Sequence, residues 1–89
     1  MNKIISKKQF SEKVFCIVVE APLIARSCRA GNFVIVRVDN NSERVPYTIA
    51  KADPEKGTLT MVIQEVGLSS TKLCQLEPGD EVLDIVGPL

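Results

Sequence analysis

The sequence of 89 residues is 45% hydrophobic and 25% charged, which fits one folded domain and excludes the composition of a disordered chain. Eleven basic and eleven acidic residues give zero formal charge, so no overall field attracts the chain to nucleic acid or to an anionic membrane. The apolar runs are only a few residues long, far below the roughly 20 that a membrane helix needs, and we expect no transmembrane span.

The N-terminal segment, Met1 to Gln9, is basic and polar. It lacks the apolar region and cleavage site of a secretory signal, so we expect a cytoplasmic protein. The three cysteines, Cys16, Cys28 and Cys74, form no C-x-x-C pair, and the chain has no histidine. Neither a disulfide framework nor a zinc site is indicated, and we interpret the cysteines as buried free thiols.

The first half of the chain alternates between β-like runs and turns. Val14 to Glu20 is rich in β-branched and aromatic residues and predicts a strand. Pro22 to Arg29 predicts a short helical turn or a loop, and Phe33 to Val38 predicts a second strand. Arg44 to Lys51 predicts a third strand, in which Pro46 marks an edge or an opening, because proline cannot donate a ladder hydrogen bond.

The second half has the clearest strand pattern. Thr58 to Glu65 alternates apolar and polar side chains after a hairpin-type turn. Gly67 ends this strand, a short helix begins at the hydroxyl-rich residues that follow, and Glu81 to Val86 predicts a final strand. Short strands with frequent turns predict an all-β fold: a small closed antiparallel Greek-key β-barrel with one short helix.

Two segments carry residues suited to binding a ligand. On a strand, Arg44, Pro46 and Thr48 share one face while Tyr47 points the other way. An arginine fork can hold phosphate oxygens, and a tyrosine can lie against a flat heterocycle. Periodicity alone nevertheless favours an ordinary surface arginine and a half-buried tyrosine.

The second segment is the turn from Gly67 to Thr71, where a strand gives way to a helix. Free backbone N–H groups and the positive end of the helix dipole would face a ligand such as a pyrophosphate. Serine and threonine also cap helices without any ligand, so a plain N-capped helix explains the same residues.

Taken together, the two segments resemble the N-terminal flavin-binding domain of the ferredoxin-NADP reductase superfamily. The branch of greatest similarity contains the dihydroorotate dehydrogenase electron-transfer subunit and the alpha subunit of NADH-dependent ferredoxin:NADP oxidoreductase, a sulfide dehydrogenase subunit. The family's Arg-x-Tyr-Ser/Thr motif corresponds to Arg44–Thr48 with one extra residue, and its pyrophosphate turn corresponds to Gly67–Leu73. Its Pro-Gly-Gln-Phe approach corresponds to Ala30–Phe33, and its Gly-Asp to Gly-Pro-Leu exit corresponds to Gly79–Leu89.

The resemblance implies that the chain binds FAD. Arg44 would bind the pyrophosphate, Tyr47 would contact the ribityl chain or the isoalloxazine ring, and Thr48 would bond the ring near its redox-active nitrogen. Backbone groups of residues 63–65 would line the cofactor wall. The cofactor-binding residues it implies are Arg44, Pro46, Tyr47, Thr48, Ile63, Gln64, Glu65, Gly67, Ser69, Ser70 and Thr71.

The same resemblance sets expectations for the whole protein. Residues 1–89 would form the FAD-binding domain of an NAD(P)H-dependent oxidoreductase, inactive alone because the NAD(P)-binding domain is absent from this chain. A [2Fe-2S] cluster would also lie outside this chain. Electrons would pass to ferredoxin or to a partner catalytic or electron-bifurcating subunit. The flavin carries the chemistry, so no catalytic side chain is expected.

Two other functions stay open on the residues alone. The first is a small β-barrel module that binds RNA or a protein, although neutral charge and four aromatic residues are poor material for a stacking platform within a basic patch. The second is a structural domain that docks a partner subunit and retains only vestigial flavin residues.

Overall fold

The computed structural model describes residues 2–29 and 31–89, and over those ranges it contains six strands and two helices. Met1 and Ala30, which belong to the predicted N-terminal segment and to one family motif, lie outside the described residues. The strands are β1 (Ile4–Ser11), β2 (Val14–Glu20), β3 (Phe33–Arg37), β4 (Val45–Asp53), β5 (Thr58–Gln64) and β6 (Asp84–Val86), and the helices are α1 (Pro22–Ser27) and α2 (Leu68–Gln75). All strand pairs are antiparallel, in the order β1-β2-β5-β4-β3-β6.

The core follows from the alternation of side chains on the central strands β2 and β5. Ile17, Val19, Leu59 and Met61 are at most 1% exposed, while their polar or smaller neighbours point outward, as a period of two requires. Leu73 of α2 is completely buried in the same core. Burying each large aliphatic side chain contributes about 1.5–3 kcal/mol, so these alternating strands supply much of the stability of the fold.

The two edges of the sheet meet at the N-terminal end of β1. Lys3 and Glu81 form an isolated antiparallel bridge. On one side of it, the Ile4 amide donates to the Asp80 carbonyl at 2.7 Å and the Gly79 amide donates to the Ile4 carbonyl at 2.9 Å; on the other side, the Val82 amide donates to the Asn2 carbonyl at 3.0 Å. The predicted antiparallel β-barrel architecture is thus confirmed, but its closure depends on this short backbone link rather than on a strand-length ladder.

An opening separates β4 from β5 at the end that carries the site. β4 pairs with β3 over residues 45–48 and with β5 from Ile49 onward, where Ile49 lies opposite Met61. Pro46 lies opposite Ile35 in the first of these stretches, where the missing N–H costs no bond to β5. The predicted opening at Pro46 is confirmed, although β4 is an inner strand rather than an edge.

The structure corrects the prediction for the N-terminal segment, to which the sequence pattern gave no strand. Residues 4–11 form β1, an edge strand paired with β2. Among its residues, Ile4 alone is classed as buried, so it lacks the apolar alternation by which strands are predicted. Lys7 of β1 donates to the Cys74 carbonyl at 3.1 Å and pairs with Glu77 at 2.8 Å, which ties β1 to the C-terminal end of α2.

Two further predictions need correction. The expectation of one short helix is wrong, because residues 22–27 form α1 in addition to α2; Pro22 at the first helical turn provides a favourable φ angle, and Ala25 packs into the core. The last strand begins at Asp84 rather than at Glu81, because residues 79–82 instead make the bonds that close the barrel.

No helix in residues 2–29 and 31–89 has the length and apolarity needed to cross a membrane.

Candidate functional site

A cleft of about 520 Å³ lies at the opening between β4 and β5. One wall is the loop before β4 together with the first residues of that strand, and the other is the end of β5 with the first turn of α2. The residues that line it are Asn41, Ser42, Glu43, Val45, Pro46, Tyr47, Gln64, Val66, Gly67, Leu68, Ser69 and Ser70. The two segments singled out in the sequence therefore face each other across one cavity.

The first turn of α2 presents unbonded amides to the cleft. Its first helical hydrogen bond runs from the Thr71 amide to the Gly67 carbonyl at 2.9 Å. The amides of Leu68, Ser69 and Ser70 therefore have no acceptor within the helix, and all three residues line the cleft. The partial positive charge of a helix N-terminus adds to these donors, so this wall is suited to an anion.

Ser70 holds this turn together. Its Oγ accepts hydrogen bonds from the Val66 amide at 3.0 Å and the Gly67 amide at 2.9 Å, and donates one to the Gly67 carbonyl at 3.1 Å. A hydroxyl has one donor and two acceptor positions, so all three are filled, and the residue is only 6% exposed. Phosphate binding by Ser70 stays a prediction, and its backbone N–H is the group that it offers in this geometry.

Tyr47 lines the cleft from the opposite wall with its side chain half buried. Its Oη is buried and has no hydrogen-bond partner among residues 2–29 and 31–89. Burial raises the pKa of the phenol, and the negative charge that Cys74 carries when ionised raises it further. The tyrosine is therefore a neutral group whose hydroxyl lacks a partner, and a ligand polyol next to the ring would supply one.

Arg44 lies just before β4 and is directed away from the cavity. Its Nη1 is 2.9 Å from Asp84 Oδ2, and the two side chains are 51% and 41% exposed. Arg44, Pro46 and Thr48 are all exposed while Tyr47 is half buried, which confirms the predicted alternation. The arginine adjoins the cleft through its neighbours Glu43 and Val45, which do line it.

The cleft contains six of the eleven residues that the resemblance implied: Pro46, Tyr47, Gln64, Gly67, Ser69 and Ser70. The five that do not line it are Arg44, Thr48, Ile63, Glu65 and Thr71. The side chain of Ile63 is fully buried in the core, so only its backbone could face a cofactor. The assignment of all eleven to cofactor binding stays a prediction.

The sequence pattern missed the loop that forms the end of the cleft. Residues 39–43 lie between two predicted strands and have no predicted role, yet Asn41, Ser42 and Glu43 line the cavity. Asp39 organises this loop, because its Oδ1 accepts from the Asn41 amide at 2.9 Å and from Ser42 Oγ at 2.8 Å. The available signal was proximity in sequence, since this polar cluster directly precedes Arg44.

Three apolar lining residues, Val45, Val66 and Leu68, were also missed. Val66 and Leu68 flank Gly67 and are each 75% exposed. Exposed apolar side chains that lie together can mark a binding site, so this pair beside Gly67 could have indicated ligand contacts. In the described residues, no group of three His, Cys, Asp or Glu side chains could hold a metal ion.

The donors present fit a flavin dinucleotide. The unbonded amides of residues 68–70 suit a diphosphate, and apolar side chains next to the unpaired Tyr47 hydroxyl suit a ring with a polyol chain. The wall residues are mostly neutral, which agrees with a ligand held by directed hydrogen bonds.

Comparison with known proteins gives the same fold and cofactor class. A family model described as "oxidoreductase FAD-binding domain" matches residues 2–89. The chain is 46% identical to an uncharacterized protein of Clostridium beijerinckii, over 100% of this chain and 30% of that protein. It is 37% identical to a dihydroorotate dehydrogenase B (NAD(+)) electron transfer subunit homolog of Thermotoga maritima, over 100% of this chain and 32% of that protein.

A solved structure shows the same backbone. The NADH-dependent reduced ferredoxin-NADP oxidoreductase, studied for flavin-based electron bifurcation, superposes with a TM-score of 0.98 at 37% identity. The match covers 100% of this chain and 32% of that one. The chain therefore spans about a third of the length of the relatives that it matches. None of these matches supports the alternative of an RNA-binding module.

Proposed function

This chain belongs to the family of oxidoreductase FAD-binding domains, and on that premise we propose that it binds FAD in the cleft between β4 and α2. The observation that carries the proposal is that residues 68–70, whose amides have no acceptor within α2, line a cavity whose other wall holds Pro46 and Tyr47. The diphosphate would lie at the amides, and the flavin would extend along β4. Bound FAD would supply the exchange between two-electron and one-electron transfer.

Under this proposal, different residues in and beside the cleft bind different parts of FAD. Ser69 contributes a hydroxyl and an amide to the phosphates, and Ser70 keeps the turn in place. Tyr47 would pack against the flavin or its ribityl chain, and Thr48, which is exposed and does not line the cleft, would offer its hydroxyl to the ring. Arg44 contributes charge once its guanidinium leaves Asp84 for the ligand.

For the whole protein, we propose an NAD(P)H-linked electron-transfer oxidoreductase of which residues 1–89 are the flavin-binding unit. The nicotinamide and an iron–sulfur centre would be bound outside these residues, and the electrons would pass to a partner subunit or to ferredoxin. Support comes from relatives described as electron transfer subunits and from the ferredoxin-NADP oxidoreductase that shares the backbone. A cytoplasmic location belongs to the same proposal and agrees with three free cysteines.

Titration of FAD into the purified chain, followed by the flavin spectrum and fluorescence, tests the proposal. We expect saturable binding of FAD and weaker binding of FMN, which lacks the diphosphate that the α2 amides would hold. Arg44→Ala should weaken FAD binding by about 1.5 kcal/mol or more, the scale of a lost charge-assisted hydrogen bond.

Arg26→Ala is the matched control, because Arg26 is exposed on α1 and lies outside the cleft lining. It removes the same charge and should leave FAD affinity unchanged. Absence of saturable FAD binding, or equal loss in both arginine variants, would contradict the proposed site.

A further inference from the structure

The cleft is short of positive charge for a ligand with two phosphates. Among the described residues that line it, Glu43 is charged, and there is neither a lysine nor an arginine. Backbone amides alone leave much of a diphosphate charge uncompensated, and proteins usually add a cation. A cation next to the cleft must therefore move toward the ligand, or the site depends on the helix end alone.

Two cations lie beside the cleft, and their contacts differ. Arg44 is 2.9 Å from Asp84. Lys72 Nζ lies 3.5 Å from Asp39 Oδ2 and 3.5 Å from Ser42 Oγ, and its side chain is 29% exposed. The distance to Asp39 is long for an ion pair and the distance to Ser42 is long for a hydrogen bond, so both contacts hold the ammonium group weakly.

The helix places Lys72 where a small movement reaches the ligand. Helical side chains point back toward the N-terminus, and residues three and four positions apart share a face. Lys72 therefore lies on the face of Leu68 and Ser69, both of which line the cleft, and its present partner Ser42 lines the opposite wall. Its four-carbon stem is flexible, so its ammonium group can turn from the loop toward the amides of the first turn.

Resting on the proposed function, we propose that Lys72 is a phosphate-binding residue of this cleft, held in readiness at its edge by Asp39 and Ser42. When the diphosphate enters, the ammonium exchanges its long contacts for a short charge-assisted bond to a phosphate oxygen. Asp39 competes with the ligand for the lysine. Glu43, on the same loop, disfavours the anion, so the site needs this second positive charge beside Arg44.

A substitution at Asp39 distinguishes phosphate binding by Lys72 from a purely structural role, in which the Lys72–Asp39 ion pair only stabilises the loop. One oxygen, Oδ1, holds the loop through the Asn41 amide and Ser42, whereas Oδ2 faces Lys72. Asp39→Asn keeps an oxygen for the loop bonds and removes the charge that holds the lysine. A phosphate-binding lysine and a brace therefore predict opposite effects of this substitution.

The experiment compares Lys72→Gln, Asp39→Asn and the control Lys56→Gln in the 89-residue chain. Lys56 is exposed in the turn that joins β4 to β5 and lies outside the cleft lining. The ligands are FAD and ADP, titrated at low and high salt. Lys72→Gln should weaken binding of both ligands about tenfold, the value of one bond to a charged group, and flatten the salt dependence of binding.

Under the proposal, Asp39→Asn binds both ligands at least as tightly as the wild type, and Lys56→Gln is unchanged. The proposal is overturned if Lys72→Gln binds like the wild type. It is also overturned if Asp39→Asn weakens binding as much as Lys72→Gln does, because the bridge would then only brace the loop. If the wild type binds neither FAD nor ADP, the proposed function fails as well, so the two failures are distinguishable.

Discussion

At the scale of single residues, the hydroxyl of Tyr47 is a buried polar group without a partner in the described chain. Such a group costs roughly 1–3 kcal/mol. Tyr47→Phe removes the hydroxyl and keeps the ring, so we expect the ligand-free chain to become about 1 kcal/mol more stable. For a domain of this size that corresponds to a rise in Tm of about 4–8 °C, measured by thermal unfolding.

The same substitution should weaken FAD binding, because the ligand polyol is the partner that the hydroxyl lacks. A more stable chain with lower affinity separates a ligand-directed hydroxyl from one that serves the fold. If Tyr47→Phe instead lowers the stability of the ligand-free chain, the hydroxyl is bonded in the folded state, and this interpretation is wrong.

Single-residue predictions from the sequence succeeded where strand alternation decides the outcome. The outward position of Arg44, Pro46 and Thr48 follows from a period of two and is confirmed. Which residues share the cleft could not be derived in the same way. That depends on where β4 leaves β5, which is set by pairing between residues distant in sequence, and on which residues of the other wall the loop of residues 39–42 faces.

At the scale of elements, α2 depends on Ser70 for its start. Ser70→Ala removes the acceptor that the amides of Val66 and Gly67 share. We expect a loss of about 1–3 kcal/mol in the free energy of unfolding, measured by urea denaturation. FAD affinity should fall as well, because the turn that presents the amides loosens.

Ser69→Ala is the matched comparison one residue earlier. The Ser69 side chain makes no hydrogen bond within residues 2–29 and 31–89 and lines the cleft. Its removal should change stability by less than about 0.5 kcal/mol while weakening FAD binding. Equal effects of the two substitutions on stability would refute the assignment of Ser70 as the cap and Ser69 as the ligand contact.

Strands with many buried side chains were predicted accurately, and the strand with few was missed. β2 and β5 bury alternate side chains on one face, and the sequence predicted them almost to the residue. β1 has one buried position and an exposed lysine, Lys8. An exposed charge of this kind keeps an edge strand from pairing with other molecules, and a strand without alternating burial leaves no periodic signal in the sequence. Its place in the sheet is set by hydrogen bonds to β2 and to residues 79–82.

At the scale of the whole molecule, the barrel fixes the relative positions of the two walls of the cleft. β4 belongs to the half that pairs with β3 and β6, and α2 follows β5 from the other half. The two halves are joined along β4 and β5 and again at the link between β1 and residues 79–82. Because β1 also holds the C-terminal end of α2 through Lys7, closure of the barrel and orientation of the site are coupled.

Ile4 is the residue on which this closure depends most. Its amide and carbonyl bond to Asp80 and Gly79, and its side chain is 1% exposed in the core, whereas the adjacent Ile5 is 45% exposed. Ile4→Ala should lower the free energy of unfolding by about 2–5 kcal/mol, a large part of the total for a small domain. Ile5→Ala removes the same atoms from an exposed site and should cost far less.

Urea denaturation measures both variants, and the shape of the transition tests the coupling. If the link closes one cooperative barrel, Ile4→Ala shifts the midpoint of a single transition and leaves its slope unchanged. The free energy of FAD binding to the folded protein then changes by less than the free energy of unfolding, because no residue that lines the cleft is substituted. Equal costs for Ile4→Ala and Ile5→Ala would contradict the closure, and a separate early transition would show that β1 detaches from a barrel that is stable without it.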